Sequence, residues 1–169
     1  MSARLSTAIR IGDAARAVLR KTQMFPEHIL FDDEDQSERE HIGVEPMLLA
    51  LARELALKAW CVFDHDDPEV IRSHDLAKLF DGLKPESQKK LHQEFKSSIV
   101  PYYPDGIYID YGIRDILYQH KDAFTDWRYL HEGKKSIRFD LGAFEATLEM
   151  VLREFRKRYR IEPSTSFQP

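Results

Sequence analysis

Glu54 and Lys58 lie four residues apart in the most apolar stretch of the chain, VEPMLLALARELALKAWCVF. In a helix, this spacing brings an acid and a base together on one face. Periodicity alone favours a solvent-exposed pair, which contributes roughly 0.2–0.5 kcal/mol. If the face is instead turned inward, the two charges need a third partner. Arg128 has aromatic neighbours on both sides, and we predict that it converges with Glu54 and Lys58.

Arg128 and His131 are three residues apart, so on one helical turn they face the same side. A guanidinium between Trp127 and Tyr129 suits either a buried structural cation or a stacked group in a nucleotide pocket. We interpret His74, in contrast, as a first-turn helix residue next to Asp75. The residues that we expect to line a ligand-binding cleft are Lys58, Arg128, Tyr129 and His131.

The segment FDHDDPE is the only compact group of potential metal ligands, but it has neither the periodic spacing nor the glycine of a calcium-binding EF-hand. Cys61 is the single cysteine, so a structural zinc site with paired cysteines is excluded. The chain also lacks a glycine-rich phosphate loop, an HExxH motif and a GxSxG motif. We therefore predict no metal and no cofactor, and a solvated loop formed by Asp64, His65, Asp66, Asp67 and Glu69.

The elements that must position these residues are predicted to be helices, because apolar residues recur at three-to-four spacing along most of the chain. Only Ile107–Tyr111 alternates as a strand would. The expected fold is all-α, a bundle of about five helices with long connections, whose core includes Leu55, Leu148 and Phe155. The helices are predicted at 7–21, 44–63, 76–83, 85–99, 113–124 and 141–159, with Ser73 and Asp140 as caps and WRYLHEGKKS as a connector.

Length and composition indicate one domain. The chain has 169 residues, 43% of them hydrophobic, and a formal net charge of −4. This charge argues against nucleic-acid binding by bulk electrostatics. A single cysteine and the absence of an apolar leader favour the cytoplasm, and no apolar run is long enough to cross a bilayer. We divide the chain into an N-terminal helix and acidic loop (1–43), a helical bundle (44–162) and a loose tail (163–169).

Three short motifs resemble the HEPN superfamily of small helical domains. They are RELALKAW, then SHDLAKLF, then WRYLHE before a final long helix, and the resemblance covers roughly Val44 to Phe155. The resemblance implies a bundle of four or five helices that is often dimeric. It also implies relatives among ribonuclease toxins, phage-defence proteins and partners of nucleotide transferases.

The active ribonucleases of that superfamily carry an arginine followed four to six residues later by a histidine. Arg114, Asp115 and His120 satisfy this spacing, so the resemblance implies metal-independent RNA cleavage, with His120 as general acid/base, Arg114 as phosphate stabiliser and Asp115 as orienter. Residues six apart on an ideal helix diverge by about 120°. In addition, the superfamily's enzymes commonly place the motif on the last helix, where this chain has no such pair.

These observations favour a HEPN-like module that binds a nucleotide or a protein without catalysis, in a defence or toxin–antitoxin setting. The alternative is a metal-independent HEPN endoribonuclease that uses the Arg/His pair. The expected partners are a second copy of the chain in a homodimer, RNA or a nucleotide, and an antitoxin or another protein. A membrane is not among them.

Overall fold

The computed structural model describes residues 3–24, 44–67, 72–102, 112–128 and 141–161; for 3, 102, 126–128, 160 and 161 it describes the backbone alone. Within these ranges the chain is helical and contains no strand. The predicted all-α bundle is therefore confirmed. The helices are α1 (Ala3–Thr22), α2 (Val44–His65), α3 (Leu76–Asp81), α4 (Pro85–Ser98), α5 (Ile113–Gln119), α6 (Ala123–Arg128) and α7 (Leu141–Ile161), with a 3-10 turn at Val100–Tyr102.

Helix α2 is the centre of the bundle, and three consecutive residues show how it is covered. Ala59 faces α1, Trp60 donates from its indole nitrogen to the Val151 carbonyl of α7 (3.2 Å), and Cys61 lies against the Leu79 carbonyl of α3 (3.5 Å). Successive helical residues are about 100° apart. Three sides of α2 are thus packed against other helices.

Two of the three residues predicted for the core are fully buried, and the third is not. Leu148 and Phe155 on α7 are both 0% exposed. Leu55 is only partly buried and packs at the edge of the core, so its prediction was wrong. By helical geometry, Leu55 lies on the remaining side of α2, between the sides that α1 and α3 cover.

Helix α1 approaches α2 and α7 closely because its inward residues are small. Ala8 and Ala15 are both 0% exposed, and a Cβ atom at Gly12 would lie 2.9 Å from Cε1 of Phe155. At the end of α2, Asp66 adopts a left-handed backbone conformation (φ 56°). Its carboxylate pairs with Nε of Arg4 at 3.0 Å, which joins the start of α1 to the end of α2.

The short helices begin and end where local chemistry requires. Asp75, rather than the predicted Ser73, is the N-cap of α3, and its carboxylate accepts from the Lys78 amide (3.0 Å). Pro85 occupies the first turn of α4, as predicted. The predicted helix 113–124 is two helices, because His120 leaves the helical conformation (φ −113°, ψ 21°). The second of them, α6, continues to Arg128, so the start of the expected connector is helical.

No described helix combines the length and apolar character that crossing a bilayer requires. Several predictions concern residues outside the described ranges. They are the acidic loop, the alternating segment Ile107–Tyr111, Asp140 as a cap, the residues after Arg128 in the WRYLHE motif and the tail 163–169. The domain boundaries also stay predictions.

Candidate ligand-binding site

Glu54 is a buried carboxylate whose two oxygens have different partners. The residue is 3% exposed. Its Oε1 accepts from Nζ of Lys58 at 2.5 Å, and its Oε2 contacts Nδ1 of His74 at 2.8 Å. Lys58 is itself only 12% exposed. The predicted pairing of Glu54 with Lys58 is confirmed, and it is an inward pair rather than the exposed pair that periodicity alone favours.

His74 precedes α3, because Asp75 is the N-cap of that helix. The interpretation of His74 as a first-turn residue was therefore wrong. Its imidazole is 62% exposed, and it stacks on the Phe124 ring of α6, with ring centroids 5.4 Å apart and an interplanar angle of 20°. One edge of the ring is bonded to a buried acid, one face lies on an aromatic ring, and the remainder is open to solvent.

Helix α6 brings the third predicted motif to the same place. It packs directly against α2, and four residues after Phe124 it ends at Arg128. The side chain of Arg128 and the residues Tyr129 and His131 lie outside the described part of the chain. The predicted convergence of Arg128 with Glu54 and Lys58 therefore stays a prediction.

Arg114, Asp115 and His120 have separate partners. Arg114 forms a two-pronged ion pair with Asp81 at 2.7 and 2.8 Å, on the surface. That hydrogen bond raises the pKa of Arg114 and lowers the pKa of Asp81. Asp115 accepts from the Gly112 amide (2.7 Å) and caps α5. The chemistry implied for these residues requires Arg114 and His120 to meet at one phosphate.

His120 faces the interior. It is 9% exposed, its Nδ1 lies 2.9 Å from the Ile116 carbonyl, and its ring meets the Phe144 ring edge-on, with centroids 5.1 Å apart. Arg114, in contrast, is 54% exposed. These contacts direct the two side chains to different surroundings, one in the core and one in solvent.

Asp64, His65, Asp66, Asp67 and Glu69 were predicted to form a solvated loop, and this was wrong for Asp64 and His65, which end α2 and make structural contacts. Glu69 lies outside the described residues. Asp64, which is 2% exposed, accepts from Oγ of Ser87 (2.8 Å) and from the Lys84 amide (3.0 Å), and it pairs with Arg158 at 3.3 Å. His65 contacts the Gly82 carbonyl at 2.6 Å. Among the described residues, no three metal-ligating side chains come together. Asp64 therefore links α2, α4 and α7, and it belongs to the framework of the fold.

Sequence reasoning missed two buried charges. Arg53 is 0% exposed; its Nη2 donates to the Phe144 carbonyl, and its guanidinium carbon lies 3.4 Å from the centroid of that ring. Among the described residues, its Nε and Nη1 have no hydrogen-bond partner. Burial lowers the pKa of Arg53. Phe144 lies 91 positions from Arg53 in the sequence, so no local sequence pattern indicates this contact. In the sequence alone, Arg53 looks like an ordinary charged residue next to Glu54.

Glu154 on α7 is the second buried charge. It is 1% exposed, and it pairs with Lys157 (2.6 Å), Lys90 (3.5 Å) and Arg153 (3.5 Å). Burial acts to raise the pKa of Glu154, but the hydrogen bond and charge of Lys157, together with Lys90, outweigh it and keep the pKa below its ordinary value. The carboxylate anchors α4 to α7. The excess of arginine and lysine around it in the sequence is the signal that could have indicated a central acid.

Comparison with protein-family models, with curated proteins and with solved structures finds no match to this chain. The chemistry of the site therefore follows from its own contacts. The group formed by Glu54, Lys58, His74 and Phe124, which we call the Glu54 site, joins a buried acid to two basic side chains. It leaves an oriented imidazole accessible to a ligand. Such a group can bind an anion or transfer a proton.

Proposed function

We propose that this chain is a HEPN-like module that binds a nucleotide at the Glu54 site without catalysing its conversion. One observation carries the proposal: Glu54 joins Lys58 and His74, which come from two of the three motifs of the resemblance. The helix that leads into the third motif packs against α2, and its Phe124 ring stacks on His74. Lys58, Arg128, Tyr129 and His131 are the proposed contacts to the ligand.

Charge supports a ligand with a negative group. Glu54 contributes one negative charge, Lys58 cancels it, and Arg128 adds a positive charge where α6 ends. Arginine and lysine are the side chains that bind phosphates in proteins, and a tyrosine next to the arginine offers a ring for a base to stack on. A protein partner is the second candidate for a non-catalytic module, and the surface next to α6 would be its docking site.

Titration calorimetry with ATP, AMP and cyclic AMP tests this function. We expect binding by the wild-type protein and a loss of at least about tenfold in affinity for Arg128→Ala, which removes a charge-assisted contact. Arg10→Ala is the matched control, because Arg10 is an exposed arginine of α1 that plays no part in the site. Absence of binding by all three nucleotides would contradict the proposal.

The endoribonuclease alternative makes an opposite prediction. It requires Arg114 and His120 at one phosphate, whereas Arg114 is paired with Asp81 and His120 lies against Phe144. We therefore expect single-stranded RNA to survive incubation with the protein in the presence of a chelator. Cleavage that both His120→Ala and Arg114→Ala abolish would replace the binding function with the enzymatic one. The same samples, analysed by light scattering, test the proposed homodimer.

A further inference from the structure

His74 is held in the way expected of a residue that contacts a ligand. Its side chain is 62% exposed, yet Glu54 fixes one edge of the ring and Phe124 fixes one face. An exposed side chain that is fixed in two directions has lost rotamer freedom, which costs free energy. A histidine that served only to neutralise Glu54 would not be needed, because Lys58 already pairs with that carboxylate at 2.5 Å.

The contact with Glu54 determines which atom of His74 is available. A carboxylate oxygen only accepts hydrogen bonds, so Nδ1 carries a hydrogen and donates it to Oε2. The opposite ring nitrogen, Nε2, has no partner among the residues that the structure describes. It is the atom that a ligand entering from solvent would meet.

The charges around His74 favour an anion. From α2, Glu54 and Lys58 face the ring and cancel each other. From α3, Asp75 caps the helix and lies 3.8 Å from Lys78, so this pair adds no net charge. Protonation of the imidazole therefore makes the site positive. A histidine gains its charge readily between about pH 5 and pH 8, so an anion at Nε2 would stabilise the protonated ring.

We infer that His74 binds a phosphate group of the ligand through Nε2–H, with Glu54 and Phe124 as positioning residues that fix the ring. The inference rests on the proposed nucleotide function and names the part of the nucleotide that enters the Glu54 site. A neutral ring presents a lone pair at Nε2, which can accept a hydrogen bond from a protonated phosphate oxygen but repels an ionised one. Binding of the fully ionised phosphate must therefore be accompanied by the uptake of a proton on the imidazole.

The experiment follows the imidazole signals of His74 by NMR while inorganic phosphate, AMP or adenosine is added. Phosphate and AMP should shift these signals at pH 6, and adenosine should not. In calorimetry, His74→Ala should weaken AMP binding at least about tenfold. His92→Ala is the matched control, because His92 is an exposed histidine on α4.

The positioning residues are tested separately from folding. Phe124→Ala should weaken AMP binding and reduce the shift that phosphate causes in the His74 signals, since the ring of His74 loses its support, and Phe124→Tyr should restore both. Glu54→Gln should likewise reduce that shift. Circular dichroism shows which variants keep their fold, and if Phe124→Ala does not, Phe124→Tyr supplies the comparison for that position.

The outcomes separate the inference from the proposed function. Unchanged AMP affinity in His74→Ala would overturn the role of His74 and leave nucleotide binding intact. If no nucleotide binds but inorganic phosphate still shifts the His74 signals, the nucleotide function fails and the phosphate contact stands. A shift of His74 by adenosine alone would also overturn the inference, because the base and not the phosphate would then occupy the Glu54 site.

Discussion

At the scale of single residues, the chain places acidic side chains in its interior and pairs them with a few specific cations. Glu54, Asp64 and Glu154 are each 3% exposed or less, and every one of them has at least one cationic partner. A buried charge without a partner is costly, so such acids mark contacts that the fold must form. The contacts of Asp64 and Glu154 join helices, whereas Glu54 holds the exposed imidazole of His74.

Glu54→Gln should destabilise the protein by about 3 kcal/mol, because it leaves the ammonium of Lys58 almost buried without a counter-charge. The measurement is the free energy of unfolding from a urea titration at pH 7. Asp81→Asn is the control, since it breaks the exposed pair with Arg114 and should leave the unfolding free energy nearly unchanged. Equal effects of the two substitutions would mean that the Glu54 site is hydrated.

Cys61 should be chemically inert in the folded protein. It is 3% exposed, and burial, followed by the charge of Asp64, raises the pKa of its thiol to about 12. The reactive thiolate is therefore almost absent near neutral pH. We expect no reaction with a thiol-specific chromogenic reagent at pH 8 and one equivalent released in denaturant. Rapid labelling of the native protein would show that α2 and α3 separate readily.

Part of the Glu54 site could be predicted from the sequence. The four-residue spacing indicates the pairing of Glu54 with Lys58 directly, because both residues lie on one helix. The contact with His74 could not be predicted, since it depends on where tertiary packing places the start of α3 relative to α2. The burial of Glu54 could not be predicted for the same reason, because a buried and an exposed glutamate look alike in the sequence until the packing of neighbouring helices is known.

At the scale of helices, α1 depends on a glycine. A Cβ at Gly12 would lie 2.9 Å from Cε1 of Phe155, a ring that is 0% exposed and has no room to move. Glycine-to-alanine substitution within a helix ordinarily stabilises it by up to about 1 kcal/mol. At this position the sign should reverse, because the added methyl group separates α1 from α7.

We expect Gly12→Ala to destabilise the protein by about 1–3 kcal/mol, the usual cost of overpacking a core. Thermal unfolding followed by circular dichroism measures it. Gly112→Ala provides the contrast, since its added Cβ would approach His92 at 2.7 Å. His92 is exposed and can rotate away, so Gly112→Ala should cost less. A more stable Gly12→Ala protein would show that α1 is less tightly packed than the structure indicates.

Most helices could be predicted because their periodicity is strong. Leu91 and Phe95 on α4, and Ile99 at its C-cap, are buried as their spacing indicates. Helix ends were harder to predict. The break at His120 comes in the middle of an apolar pattern, and α6 continues through Trp127 and Arg128 into residues read as a connector. Tertiary packing, which a local pattern does not contain, decides such positions.

At the scale of the whole molecule, acid should weaken the joint between α4 and α7. The pKa of Glu154 is lowered in the folded protein from the ordinary value of 4.5. Its contribution to stability is therefore complete above that value and is lost as the pH falls through the lower, folded-state value. Glu154→Gln should cost about 1–3 kcal/mol at pH 7, and this cost should shrink as the pH falls through the folded-state pKa of Glu154. Urea titrations over a series of acidic pH values measure the change, and a cost that stays constant would contradict the assignment.

The cover that α7 places over Arg53 has a consequence for synthesis on the ribosome. Phe144 supplies both the carbonyl that accepts from this guanidinium and the ring that lies against it. A nascent chain that has reached only residue 128 has no such cover, and water must then solvate the charge. When α7 packs over Arg53, it displaces that water. The Arg53 face of α2 can therefore be fully buried only after α7 has been synthesised. Until then, a chaperone that recognises exposed apolar helices would find α2 accessible.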